Sequence, residues 1–238
     1  MEPYFFQGVV LPERAQLSLQ FAIGFSHYTS GVACTAKVSV MFNQVAVWIE
    51  SDHEWDIFDL RNVAKNIVQI HLNIIGYIKG FAYELEITRV LNQNRNIDYV
   101  FGIDIPCLTE RNKSLDLNAA MIYLRDKTLG PHGILLNRCF NDLVSAMKHA
   151  DDRGFYCYRA VESLRHHCAA THNLSSSKES TQWQKFREVA ACEKTTLMDI
   201  KQAADPLRHG DVAKVTSDDS VSLFAKTWDV VDGYLKNM

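Results

Sequence analysis

The sequence predicts an α+β protein: an N-terminal antiparallel β-sheet with one long packed helix, followed by a C-terminal four- to five-helix antiparallel bundle. Three observations predict it. Apolar residues alternate through much of the first fifty positions, the period-two signature of half-buried strands. A helical period then takes over for one long segment and gives way to alternation again. From about residue 115 onward the strand signals fade and helical spacing dominates.

The elements follow in order. "AQLSLQFAIGF" sets Leu17, Leu19, Phe21, Ile23 and Phe25 on one face of a strand. "VACTAKVSVMF" and "QVAVWIES" continue the alternation, separated by turns at "SHYTSG" and at Asn43-Gln44, so residues 4–50 read as an antiparallel meander. In "DIFDLRNVAKNIVQIHLNIIGYIKG" apolar residues at 60, 63, 67, 70, 74, 75 and 78 predict a helix, capped by Asp56 or Asp59 and ended at Gly80. "FAYELEITRVL", the turn "NQNRN" and "IDYVFGIDIP" predict a hairpin. A helix laid on one face of the sheet buries both apolar stripes.

Residues 134–150 and 155–172 both read as helices, and "NLSSSKEST" as a polar loop with Thr181 as cap of the helix at "QWQKFREVA". "TTLMDIKQAADPLRHG" is helical up to Pro206, and the last helix carries apolar residues at 221, 224, 228, 231 and 235. Short connections between such helices predict antiparallel neighbours. The expected division is 1–126 for the sheet domain and 127–238 for the helical one.

Composition narrows the function classes. With 47% hydrophobic and 22% charged residues in 238, the chain has the make-up of an ordinary globular protein. A formal charge of −3 argues against duplex DNA as a partner. The N-terminus lacks a basic region followed by a long apolar run, and the most apolar helical stretch, 66–78, is too short and polar to span a bilayer. Six cysteines with no C-x-x-C pair read as reduced thiols, so a cytoplasmic protein is expected, with no membrane partner. G-x-G-x-x-G, Walker, G-x-S-x-G and H-E-x-x-H motifs are missing, and no cofactor is expected.

Two polar stretches stand out. "ESLRHHCAATH" gathers Glu162, Arg165, His166, His167, Cys168 and His172 on one helix. Cys168 and His172, at i and i+4, supply only two of the four ligands that zinc requires, so no metal site is expected. "AADPLRHGD" ends a helical pattern at a proline. Its local reading is structural: Asp205 caps a restarted turn, Pro206 takes its first position, and Gly210 ends it in a left-handed conformation. Arg208 and His209 are then polar residues of that turn, paired with Asp205 or Asp211.

"CYRAVESLRHHC", "WQKFREV" and "IKQAADPLRHGD" together resemble the HEPN superfamily of small helical bundles, in which a helix ends in a basic–Asn–x–x–x–His–Gly type of sequence. The resemblance covers about residues 130–238. Asp205 stands near the Asn position and His209-Gly210 at the end, while Ala204 occupies the place of the family's arginine. It implies a helical domain that pairs into a homodimer and binds RNA or a nucleotide. In active members it implies metal-independent RNA cleavage by an R-x4-6-H motif, with a base near the 2′-hydroxyl and a cation at the developing charge. The catalytic candidates are Arg208, His209 and Asp205, and secondarily Arg165 and His172. The latter pair has the motif's spacing, but on a continuous helix it is ~10 Å apart along the axis. The leading expectation is a binding and assembly protein without strong catalysis, the alternatives being an endoribonuclease and a structural protein-interaction module.

Overall fold

The computed structural model describes residues 3–26, 31–209 and 220–238. The chain is α+β and divides into two compact units, Met1–Ile103 and Asp104–Met238. The first holds six antiparallel strands, β1 (Tyr4–Leu11), β2 (Leu19–Ser26), β3 (Ala33–Met41), β4 (Gln44–Glu50), β5 (Glu84–Asn92) and β6 (Ile97–Val100), in the order β2-β3-β4-β1-β5-β6. A single row of aligned residues crosses all six: Phe21, Val38, Val47, Phe6, Val90 and Tyr99. The meander expected over 4–50 is therefore limited to β2, β3 and β4. β1 lies on the far side of β4, and its composition explains the place. Phe6 and Val10 are buried on one face while Phe5 packs on Trp48 across the other at 5.2 Å, and a strand apolar on both faces suits the sheet interior.

The turn between β3 and β4 is Phe42-Asn43, not Asn43-Gln44. Both residues have positive φ, 46° and 69°, which is the pattern of a type I′ hairpin. Asn43 is the sequence feature that permits it, since asparagine tolerates the left-handed region better than other non-glycine residues. Its side chain is buried and ties the turn to the segment after β1. The amide nitrogen faces the carbonyls of Val10, Pro12 and Glu13 at 3.1, 3.0 and 3.0 Å, and the amide oxygen accepts from the Leu17 N–H.

Helix α1 (Ile57–Lys79) lies on the sheet. The Asp56 carboxylate accepts from the N–H groups of Phe58 and Asp59 at 2.8 and 3.1 Å, and Gly80 ends the helix at φ +69°, as its sequence signals indicate. Its inward face is Leu60, Ala64, Ile67, Val68, Leu72 and Gly76. Ile70, Ile74 and Ile78, expected on the same stripe as Leu60 and Ile67, point outward instead. The helix carries apolar residues on two faces, and the sheet takes the one that bears Leu60, Ala64, Val68 and Leu72, while Gly76 leaves room for the Phe81 carbonyl just past the helix end.

The second unit contains α2 (Pro106–Arg111), α3 (Leu117–Leu129), α4 (Gly133–Lys148), α5 (Arg153–Thr171), α6 (Glu179–Ala190), α7 (Lys194–Arg208) and α8 (Ser220–Asn237). The five long helices expected are α4 to α8, and α2 and α3 precede them. Leu108 is buried in the helical core and Leu124 packs against it, so these two helices belong to this unit, and residue 126 falls inside α3. Leu136, Cys139 and Leu143 of α4, Val161, Leu164 and Cys168 of α5, Phe186 of α6, Ile200 of α7 and Tyr234 of α8 form the core. Two polar pairs adjoin it, one of them reaching solvent through the half-exposed Arg159. Arg159 donates to the buried Asp142 carboxylate at 2.5 Å, and the buried His167 Nδ1 lies 2.7 Å from the Tyr234 hydroxyl. No helix among the described residues is long and apolar enough to cross a membrane.

Candidate functional site: an arginine–aromatic face on the helical domain

Tyr158, Glu162 and Arg165 recur at i, i+4 and i+7 along α5, so the helix sets them in one line. That line faces α6 and the end of α7. The rings of Tyr158 and Trp183 stack with centroids 6.4 Å apart and planes 21° from parallel. Each ring carries a guanidinium: Arg208 sits 5.4 Å from the centre of Tyr158, and Arg165 sits 5.1 Å from the centre of Trp183. The two arginines singled out as belonging to separate sequence motifs thus converge on one aromatic pair. Trp183 is held in turn by its indole N–H, which donates to Glu179 at 3.0 Å, and by an edge contact with Phe186 at 5.8 Å.

The two arginines differ in solvent access. Arg165 is 6% exposed; it donates to the Gln182 side-chain oxygen at 2.5 Å and to His166 Nε2 at 2.9 Å, and its Nε has no partner. Gln182 is itself buried, with its amide nitrogen among the carbonyls of Leu174, Ser175 and Ser177 at 3.1, 3.3 and 3.1 Å. One glutamine therefore shapes the 172–178 loop and aims Arg165. A guanidinium can donate only to an unprotonated imidazole nitrogen. Accordingly, burial, with the Arg165 charge after it, holds His166 below the ordinary histidine range. Arg208 keeps 38% of its side chain in solvent, and the neighbouring His209 is exposed. The Tyr158 hydroxyl beneath Arg208 is pushed up to about 12, by burial first and the Glu162 charge second, so it stays protonated as a hydrogen-bond donor.

The end of α7 departs from its sequence reading. The helix does not restart at Pro206 but runs through it to Arg208, with the His209 N–H bonded to the Asp205 carbonyl at 3.2 Å. Pro206 lies in the last turn, where the missing N–H costs one hydrogen bond and little helix remains to be displaced. Asp205 accordingly caps no new turn. Its carboxylate stands 3.6 Å from Arg208 and 4.0 Å from Lys201. Gly210 and Asp211 lie outside the described residues. Thr181 likewise caps nothing, because α6 begins two residues earlier, at Glu179.

Arg165 and His172 are not brought together. α5 is continuous to Thr171, and His172 folds back on its own turn, with Nδ1 3.0 Å from the Cys168 carbonyl and 3.8 Å from the Cys168 sulfur. Burial raises the Cys168 thiol, which keeps it protonated beside this imidazole. Among the described residues no group of three or more histidine, cysteine or acidic side chains is gathered for a metal ion.

Tyr158 and Trp183 were not among the sequence candidates. Their signal was an aromatic one helical turn or two from an arginine, which is too common in amphipathic helices to single out. The approach of α7 to α5 depends on Gly154, where a β-carbon would fall 2.3 Å from the Ala203 carbonyl oxygen.

Comparison with known proteins gives a family without an activity. Residues 4–101 match the N-terminal domain of DUF8168, a domain of unknown function, and residues 121–238 match the C-terminal domain of DUF8168. No curated protein and no solved structure matches the chain.

Proposed function

We propose that this chain, which carries the N-terminal and C-terminal domains of the DUF8168 family, is a binding and assembly protein whose helical domain takes RNA or a nucleotide at the end of α7. The observation that carries the reading is Arg208. It is a part-exposed guanidinium braced against the Tyr158 ring, next to an exposed histidine at a helix end. An arginine so braced loses less side-chain freedom on binding, and the part of its fork that lies in solvent meets phosphate oxygens beside Asp205, 3.6 Å away. Arg165 adds a second positive charge behind Trp183, held by the neutral partners Gln182 and His166. The resemblance to HEPN domains supports the same ligand class. Binding is favoured over strong catalysis because Arg165 and His172, the pair with the motif's spacing, are not brought together, and Ala204 stands in the place of the family's arginine.

The test is fluorescence polarisation with a labelled single-stranded RNA of about 15 nucleotides, in EDTA and at several salt concentrations. Loss of one charge-assisted contact in Arg208→Ala is expected to weaken binding about tenfold and to lower the salt slope by about one phosphate. Equal affinity for wild type and Arg208→Ala refutes the site.

A metal-independent endoribonuclease acting through Asp205, Arg208 and His209 is the second reading. It is favoured by the exposure of His209 beside Arg208. Structured and single-stranded RNA incubated in EDTA distinguishes the two. Cleavage that disappears in His209→Ala establishes catalysis at this turn, and RNA left intact by the wild type removes it.

A further inference from the structure

We infer that the outer face of α1 is a self-association surface, on which the sheet domains of two copies of this chain pair helix to helix. On that face Ile70, Ile74, Tyr77 and Ile78 are 58%, 53%, 90% and 73% exposed, and Phe81, just past the Gly80 cap, is 57% exposed. Taking roughly 180 Å² for an isoleucine and roughly 220 Å² for a ring residue, these side chains leave on the order of 650 Å² open per copy, or about 1,300 Å² across a symmetric pair. That exceeds the largest apolar patch of most monomers and reaches the size of a specific interface.

The spacing names the occupant as a helix. Ile70, Ile74 and Tyr77 follow a 4-3 rhythm on the helix, the spacing of a seam along which two helices interlock, and Phe81 continues the apolar surface past the helix end. The charge pattern names it as a second α1. The helical positions flanking the seam are His71, Asn73 and Ile78, with no carboxylate, ammonium or guanidinium among them. Two such faces meet without like-charge repulsion, and a highly charged partner helix would find nothing to pair with. The seam is also anchored from behind. Gln69 donates to the Tyr83 carbonyl at 3.0 Å and accepts from the Leu85 N–H at 2.9 Å, fixing α1 to the strand beneath it. The exposed apolar residues of α3, Leu117, Met121, Ile122 and Leu129, form no comparable seam, because Arg125 stands in the middle of their stripe. The surface lies in the sheet domain and is independent of the pairing through the helical domain that the HEPN resemblance implies.

The experiment is sedimentation velocity on the full chain from about 1 to about 100 µM, for wild type, Ile74→Glu and Tyr77→Glu. Both positions are exposed, and circular dichroism and thermal unfolding of each variant check its fold; Tyr77, almost wholly in solvent, carries the test if Ile74→Glu unfolds. The expected result is a wild-type dimer of twice 27.1 kDa within this range and at least tenfold weaker association in the variants. A wild type that stays monomeric at the top of the range overturns the inference. So does a dimer that survives in folded variants, which would place self-association elsewhere on the chain.

Discussion

Replacing Asn43 tests how the sheet is tied together. In Asn43→Ala the Leu17 N–H and three carbonyls lose a buried partner, and an alanine must hold the left-handed backbone of φ 69°. Each buried polar group left unsatisfied costs about 1–3 kcal/mol, though the carbonyls near the surface regain water. The left-handed conformation adds about 1–2 kcal/mol for a residue with a β-carbon. Together these come to ~3–5 kcal/mol. Asn43→Gly removes the same hydrogen bonds but not the conformational ease, so its cost is ~2–4 kcal/mol, and wild type, glycine and alanine form a ranked series. Hydrogen exchange followed by mass spectrometry in the full chain, on peptides covering β1 and the β3–β4 hairpin, reads this domain separately. At 1.4 kcal/mol per factor of ten, exchange in the alanine variant should accelerate by more than about 100-fold. Exchange within about threefold of wild type, or identical rates for glycine and alanine, would refute the reasoning.

Two further predictions concern the helical domain. His167 is buried beside Tyr234, and burial lowers its pKa, with the charges of His132 and Lys127 acting in the same direction. The unfolded chain therefore binds the extra proton more readily, so stability present above the ordinary histidine value of 6.5 is lost as pH falls below it. Urea unfolding of the helical domain should show this slope, and a His167→Gln variant that kept the same slope would sink the assignment. The Cys157 thiol is pushed up to about 11 by burial, and burial raises Cys139 further still, so neither should be alkylated in the native chain at pH 8 on a timescale of minutes. Rapid labelling of Cys139 before that of the less buried Cys107 and Cys192 would contradict the packing of α4 and α5.

Local chemistry was legible in the sequence wherever one segment decides the outcome. Asp56 and Gly80 bound α1 because capping and left-handed termination depend on neighbours only a few residues away. The alternation of β2, β3 and β4 carried their pairing. The central place of β1 was not legible, because a strand apolar on both faces does not say which neighbours will flank it. Nor was the choice between the two apolar faces of α1, because both carry aliphatic residues at helical spacing and only packing on the sheet tells them apart. The candidate site was legible one residue at a time. Arg208 and Arg165 were recognisable as polar punctuation of two helices, but their convergence on Tyr158 and Trp183 depends on how three helices cross. The proline in α7 misled for a related reason: its effect depends on how much helix follows it, and only its own last turn does.

The crossing of α5 and α7 has a consequence for how this surface could vary among related chains. Ala203 reaches α5 only because Gly154 lacks a methyl group, and five residues further along α7 stands Arg208. The reach of that arginine to its aromatic platform is thus gauged at a point that bears no charge and touches no ligand. A single added carbon at 154 would lever the end of α7 outward and part the guanidinium from the ring, leaving every residue of the site in place and the site itself undone.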